Sequence, residues 1–236
     1  MDITVKTNKL SEKNGSTLAI ANVEFGNMLK VKNITVKEGK NGMFVSMPSV
    51  ATNKLDDQGN TIYKDMFNPI TAQGREELYG AVLESMNTGK EVTISKPVEN
   101  KDIMIKMNRL EKPIGNAIAI GNIILNQDYV VNSVTVRETA EKVPFVSFPS
   151  YKTNEVNEEG KAIYKNFVYP ADKESKAIID AMVMDAFDKS KDIDKSKEIF
   201  ADEPKKGVKS RLKESQAKAK EAKPKAPKKT KEAARQ

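Results

Sequence analysis

The residues of this 236-residue chain that could do chemistry are carboxylates and amines. Cys, His and Trp are absent, which closes the routes through thiolates, imidazole acid–base pairs, disulfides and zinc sites built on Cys or His. Two adjacent carboxylate pairs remain, Asp56-Asp57 and Glu158-Glu159, a grouping that general acid–base or metal chemistry could use. They sit beside Gly59 and Gly160 in polar stretches where exposed turn residues are expected, with no nucleophile or further ligand nearby in the sequence. Neither catalysis nor a metal, a cofactor or a small-molecule substrate is therefore expected. The amines point elsewhere. Of 40 Lys and Arg and 33 Asp and Glu, residues 204–236 hold 13 and 3, a net of +10, and leave residues 1–203 at −3.

A segment so one-sided in charge neutralises phosphates without regard to base sequence and releases their counterions. Its 11 Lys against 2 Arg favour loose charge contact over bidentate base reading. Lys205, Lys206, Lys209, Arg211, Lys213, Lys228 and Lys229 are its candidate nucleic-acid contacts; the bland alternative is that such a tail serves only solubility. With Pro204, Pro224 and Pro227 and few large apolar side chains beyond Val208 and Leu212, residues 191–236 are expected to be a Lys-rich disordered tail, because they cannot bury enough surface to offset the entropy of ordering. The Ala-, Lys- and Glu-rich stretch Ser210 to Lys223 has the propensity to become helical against a partner. No run of 18 apolar residues occurs and the chain does not open on a cationic segment leading into an apolar one, so neither a membrane partner nor export is indicated and a cytoplasmic location is expected.

The elements that must carry these charges come twice. Shifted by 100 residues, Thr17-Leu18-Ala19-Ile20-Ala21-Asn22-Val23 falls on Ala117-Ile118-Ala119-Ile120-Gly121-Asn122-Ile123, and Ile34-Thr35-Val36-Lys37-Glu38 on Val134-Thr135-Val136-Arg137-Glu138. From there the shift is 101: Phe44-Val45-Ser46-Met47-Pro48-Ser49 matches Phe145-Val146-Ser147-Phe148-Pro149-Ser150. The period is too long for a solenoid of small units and fits two copies of one small domain, residues 1–87 and 102–190, joined by a linker over 88–101.

Within a copy, Ile3, Val5, Leu18, Ile20, Val23, Leu29, Val31, Ile34 and Val36, broken by Gly26-Asn27 and Gly39-Lys40-Asn41-Gly42, read as a β-meander with Leu18 and Ile20 on its alternating apolar face. Met43 to Met47 is a short strand halted by Pro48. Ser49 to Gly59 reads as a long polar loop, Ile62 to Phe67 as a returning strand, and Asn68-Pro69 as its end. A helix closes each copy: Thr71 caps one with Leu78, Val82, Leu83 and Met86 on a face, and Asp172 caps the other with Ile178, Ile179, Met182, Val183 and Phe187. The fold class is α+β. Val92 and Ile94 in the linker could add a short strand.

The order Met47-Pro48-Ser49, a Gly-containing loop, then Asp65-Met66-Phe67-Asn68-Pro69-Ile70 before a helix resembles the stage V sporulation protein G family, the septation regulators of bacteria, over about residues 2–86 and again 102–187. The resemblance implies a domain that dimerises through strands, and a regulatory role in septation, sporulation, cell division or transcription through DNA, in some members RNA, without catalysis. Two copies in one chain then imply an intrachain pseudo-dimer in which each half covers a sheet edge of the other, with higher oligomers left open; the alternative is two independent beads. Where the family places a basic pair after Met-Pro-Ser, this chain has Val50-Ala51 and Tyr151-Lys152, and the family's Asp and His become Asp65 and Asn68, then Asn166 and Tyr169. On the domains Arg75, Lys152, Lys161, Lys165 and Lys176 are the candidate phosphate contacts. A protein-interaction or scaffold role is the competing reading, since a body of net −3 repels a polyanion at long range.

Overall fold

The computed structural model describes residues 1–97 and 102–190. The expectations for the tail, including Lys205, Lys206, Lys209, Arg211, Lys213, Lys228 and Lys229, lie outside the described residues.

The first copy is an antiparallel meander of β1 (Ile3–Asn14), β2 (Thr17–Phe25), β3 (Leu29–Gly39) and β4 (Gly42–Ser46). A hairpin of β5 (Ser49–Leu55) and β6 (Thr61–Asp65) follows, then a three-residue strand β7 (Phe67–Pro69), helix α1 (Ala72–Thr88) and β8 (Val92–Ile94) against β1. The second copy repeats the plan as β9 (Ile103–Ile114), β10 (Ala117–Leu125), β11 (Tyr129–Glu138) and β12 (Pro144–Ser147), the hairpin β13 (Ser150–Val156) and β14 (Ala162–Asn166), β15 (Val168–Pro170) and α2 (Lys173–Asp188). Both helices start on the residues the sequence marks. The Thr71 hydroxyl accepts from the Gly74 amide, and Asp172 and Ser175 cap each other's backbone reciprocally. Among the described residues no helix is long and apolar enough to cross a membrane.

The copies are joined by an exchange of their short strands. β7 of the first pairs with β11 of the second, Phe67 opposite Val131 and Pro69 opposite Tyr129; β15 of the second pairs with β3 of the first, Val168 opposite Val31 and Pro170 opposite Leu29. The flanking backbone bonds are reciprocal too: Asn132 N–H donates to Met66 O and Lys32 N–H to Phe167 O, while Ile70 N–H donates to Asp128 O and Ala171 N–H to Met28 O. Two independent beads are thereby excluded, and one continuous core holds residues of both copies. The pseudo-dimer expectation stands.

Four expectations are corrected. Leu18 and Ile20 do not face the core; Ala19, Ala21, Val23 and Phe25 do. The run Leu18 to Val23 is apolar or small almost throughout, so it carries little phase information of its own, and the parity is fixed by burial of Val23 and Phe25. The stretch after Ser49 is a hairpin and not a loop: its strands are largely exposed and therefore lack an alternating pattern, and its turn is closed by side chains, with the Asp56 carboxylate accepting from the amides of Gln58 and Asn60. The returning strand breaks at Met66, so that Asn68-Pro69 closes the separate short strand β7, whose hydrogen bonds go to the other copy; single-repeat reading has no partner to offer it. On α2, Ile178 is exposed, so the buried stripe is Ile179, Val183 and Phe187 with Ser175.

Candidate nucleic-acid interface

The described candidate cations do not share one face. In the second hairpin Tyr151 opposes Lys165 and Lys152 opposes Tyr164, and directly opposed residues project to the same side. Lys152 and Lys165 therefore lie on opposite sides; the Tyr151 ring rests on Phe167 at 4.6 Å, which makes the Lys165 side the inner one. Lys165 is paired with Glu155 at 3.1 Å, Lys161 near the turn with Glu159 at 2.7 Å, and Lys176 on α2 with Asp180 one turn on. Arg75, exposed near the start of α1, and Lys152 have no ion pair among the described residues. Three of the five cations are thus already partnered by carboxylates that a phosphate must displace.

The carboxylate pairs take structural places. Hydrogen bonds from the Asn60 side chain and the Asn60 and Gln58 amides hold the exposed Asp56 carboxyl below its ordinary range, and Glu159 is the partner of Lys161. Both belong to hairpin turns.

Sequence reasoning missed the junction between copies. Asp128, in the turn before β11, accepts from the Thr71 hydroxyl at 2.5 Å and from Lys96 Nζ at 3.1 Å, and Lys96 also contacts Glu77 of α1. Burial alone would lower the Lys96 pKa, but the two carboxylates more than reverse it and hold the amine charged. A β-carbon on Gly74 would lie 2.8 Å from Asp128 Cβ, so this close approach of helix and turn requires glycine. Behind the ion pairs the fully buried Tyr129 ring meets Phe25 at 5.3 Å and Phe67 at 6.0 Å. Its hydroxyl has no hydrogen-bond partner, and burial, then the Glu77 and Asp128 charges, push its pKa up. Across the pseudo-twofold the places of Asp128, Glu77 and Tyr129 hold Met28, Ile178 and Leu29, so the second seam has neither carboxylate.

The junction also accounts for the departures from the family pattern at residues 68 and 169. Asn68 accepts from the Asn132 side chain at 2.9 Å, while the Tyr169 ring receives the Lys32 amine at 4.8 Å from its centroid. Positions 32 and 132 are themselves equivalent, so the difference between the copies at 68 and 169 is met by a difference at 132 and 32. No pattern within one repeat displays that pairing; only the strand exchange does.

A second set of cations was not singled out from sequence. Lys6 on β1, Lys37 on β3, Lys106 on β9 and Arg137 on β11 alternate with buried neighbours and so lie on the outer sides of the sheets. None of the four has an ion pair among the described residues. The signal was available in the repeat: 6 matches 106 and 37 matches 137, with the positive charge kept both times.

Comparison with known proteins agrees with this geometry. A septation protein SpoVG of Thermoanaerobacter pseudethanolicus is 37% identical over 92 residues, which is 39% of this chain and 92% of that protein. That of Archaeoglobus fulgidus is 37% identical over 75 residues, 32% of this chain and 81% of the relative, and one from Clostridium perfringens is 35% identical over 97 residues, 41% of this chain and the whole of the relative. No solved structure matches the chain significantly. Each relative is thus matched by a third to two-fifths of this chain, whereas the SpoVG family's sequence model matches residues 1–88 and again 99–189, and the chain belongs to the SpoVG family with the family's domain present twice.

Proposed function

We propose that this protein is a non-catalytic, cytoplasmic nucleic-acid-binding regulator of the septation and sporulation type, with residues 204–236 supplying non-specific phosphate contacts and the folded body supplying selectivity. The observation that carries this reading is the segregation of charge, +10 in residues 204–236 against −3 in the rest. A polycation joined to a weakly acidic folded body is suited to hold a polyanion loosely while the body samples it. The four unpaired cations on the outer sheet sides support a part for the body, and the turn and ion-pair duties of Asp56 and Glu159 support the absence of catalysis.

The test is a mobility-shift series with DNA and RNA of mixed sequence, across salt, for the full chain and for residues 1–203. The full chain is expected to bind, and removing the tail is expected to lower the slope of log affinity against log salt by about 0.9 for each duplex-DNA phosphate that the tail neutralises. If the full chain shifts neither nucleic acid at low salt, the reading fails. The protein-interaction reading then takes its place, favoured by the exposed Leu55 and Tyr63 of one hairpin and their equivalents Val156 and Tyr164 in the other.

A further inference from the structure

The two copies have kept near-complete identity along one set of outward-facing rows, where packing demands it least. Across β1, β2, β3 and β4 the directly opposed residues Asn8, Ile20, Thr35 and Ser46 form one row on the outer side of the first sheet. Across β9, β10, β11 and β12 the corresponding row is Asn108, Ile120, Thr135 and Ser147, the same four residue types in the same register. Beside each row Lys6 opposes Asn22 and Lys106 opposes Asn122; on the other flank Lys37 opposes Phe44 and Arg137 opposes Phe145. Seven of these eight paired positions are identical, and the eighth keeps its charge.

Elsewhere identity is patchy: Ala19, Val31, Val36 and Val82 recur in the core as Ala119, Val131, Val136 and Val183, but other positions have drifted. Core positions changed from Phe25 to Leu125, Leu29 to Tyr129 and Phe67 to Val168, and the hairpins from Val50-Ala51 to Tyr151-Lys152. Surface substitutions are nearly free of stability cost whereas core ones are not, so folding alone gives no reason for near-complete identity along these outer rows. Something other than the fold holds the outer rows constant.

Their chemistry identifies a ligand class. Phe44 and Phe145 are 48% and 41% exposed, each directly opposite an unpaired cation, next to a row of amide and hydroxyl groups. The Arg137 guanidinium is held over its sheet by bonds to Thr135 Oγ1 at 3.2 Å and Asn116 Oδ1 at 3.0 Å, which leaves the rest of its fork free. An open aromatic ring, cations and short polar side chains on a sheet are what a splayed single strand uses: bases stack, phosphates meet cations, and base edges meet amides and hydroxyls. A duplex fits less well, because four strands span roughly 14 Å between the outer two and the major groove, about 12 Å wide, admits only a helix or a two-stranded ribbon.

We propose that the outer side of each sheet seats one single strand of nucleic acid, with a base stacked on Phe44 or Phe145 and phosphates held by Lys6 and Lys37 or by Lys106 and Arg137. This rests on the nucleic-acid reading above and adds the site and the strandedness. One chain then carries two equivalent single-strand sites on one rigid body.

The experiment uses the full chain, so the tail is the same in every variant, and measures fluorescence anisotropy with a labelled 12-nucleotide mixed-sequence strand, as DNA and as RNA, and with the matching duplex. Single strands are expected to bind more tightly than the duplex. The double variant Phe44→Ala/Phe145→Ala is expected to lose about tenfold or more in single-strand affinity per ring, with its salt slope and melting temperature unchanged. Phe44→Tyr/Phe145→Tyr keeps a stacking ring and is expected to retain binding; Tyr63→Ala/Tyr164→Ala, which removes still more exposed rings from the hairpins, is expected to leave it intact. Lys37→Gln/Arg137→Gln is expected to lower the single-strand salt slope by about 0.7 for each phosphate released. If the double Phe variant binds single strands as the parent does, or the duplex binds as tightly as the strand, the site is wrong while the nucleic-acid reading survives. If the parent chain binds no nucleic acid, both fall, and the rows await a protein partner.

Discussion

Replacing Phe67 with Ala probes whether the two copies are one cooperative body. The side chain is fully buried at the exchanged strand, 5.6 Å from the Phe25 ring of its own copy and 6.0 Å from Tyr129 of the other. Phe→Ala at such a site costs about 3–5 kcal/mol from lost burial and the cavity left behind, and these ring separations lie in the range of favourable aromatic pairs. Taking about 4 kcal/mol, a folded body of this size should lose roughly 8–16 °C in melting temperature. The sharper assay is amide hydrogen exchange under native conditions. Phe67 lies on the strand of the β7–β11 seam, yet the Lys32 and Ala171 amides bond across the other seam, to Phe167 O and Met28 O. If both seams open only with global unfolding, exchange at those amides should accelerate by about a thousandfold, the factor that corresponds to 4 kcal/mol. Unchanged exchange at Lys32, or a melting curve that splits in two with only one half displaced, would refute the coupling. Phe44→Ala, on the exposed outer side, serves as control and should stay within about 0.5 kcal/mol of the parent.

Tyr129→Phe removes a buried hydroxyl that has no partner, so stability at neutral pH should hold or rise, by up to about 1–3 kcal/mol. Because the folded protein holds the Tyr129 proton more tightly than the unfolded chain does, its contribution is fully present below the ordinary tyrosine value of about 10 and is lost as pH rises above it; urea titrations from pH 8 to 11 should show a steeper decline for the parent than for the variant. Gly121→Ala should destabilise by about 1–3 kcal/mol, since the new β-carbon would lie 2.1 Å from Lys106 O and 2.4 Å from Met107 Sδ, whereas the first copy carries Ala21 there; an unchanged urea midpoint would count against that packing. Lys96→Met strands Glu77 and Asp128 beside each other in a half-buried seam and should cost about 2 kcal/mol, less than for a fully buried pair, and raising the salt should recover part of the loss by screening the two carboxylates.

Local rules carried the sequence reading as far as one repeat extends. Alternation, Gly-Asn turns, Thr71 and Asp172 as caps and the helix stripes are written in short windows, and the structure bears them out except at Ile178. The phase of β2 was not so written, because a side chain of either parity from Leu18 to Val23 is apolar or small for most of its length and only the packing of Phe25 decides. The outgoing strand of the hairpin escaped, although its return from Ile62 did not, because a largely exposed strand has no period. The junction escaped for a different reason: Lys96, Glu77 and Asp128 are 19, 32 and 51 residues apart in pairs, and nothing in composition tells a chain-crossing ion pair from three solvated charges. The outer rows were legible in principle, but the eye goes to the apolar residues of a repeat, and it takes strand register to reveal that Asn8, Thr35 and Ser46 are neighbours.

The strand exchange has a consequence for how the chain is made. In the first copy the β3 edge at Leu29–Val31 waits for Val168, 137 residues later, which at about 5–20 residues per second leaves it open for roughly 7–27 s on the ribosome. Throughout that interval a neighbouring nascent chain offers the same first copy, whose β7 could fill the edge and tie two ribosomes' products together. The charged seam tells the right partner from the wrong one. Asp128 has Met28 as its counterpart and Tyr129 has Leu29, so two first copies brought together would leave Lys96 with one carboxylate instead of two and the aromatic trio one ring short. A tether that keeps the correct partner at an effective concentration in the millimolar range, together with a seam that only unlike copies complete, makes divergence between the repeats the means by which each chain closes on itself.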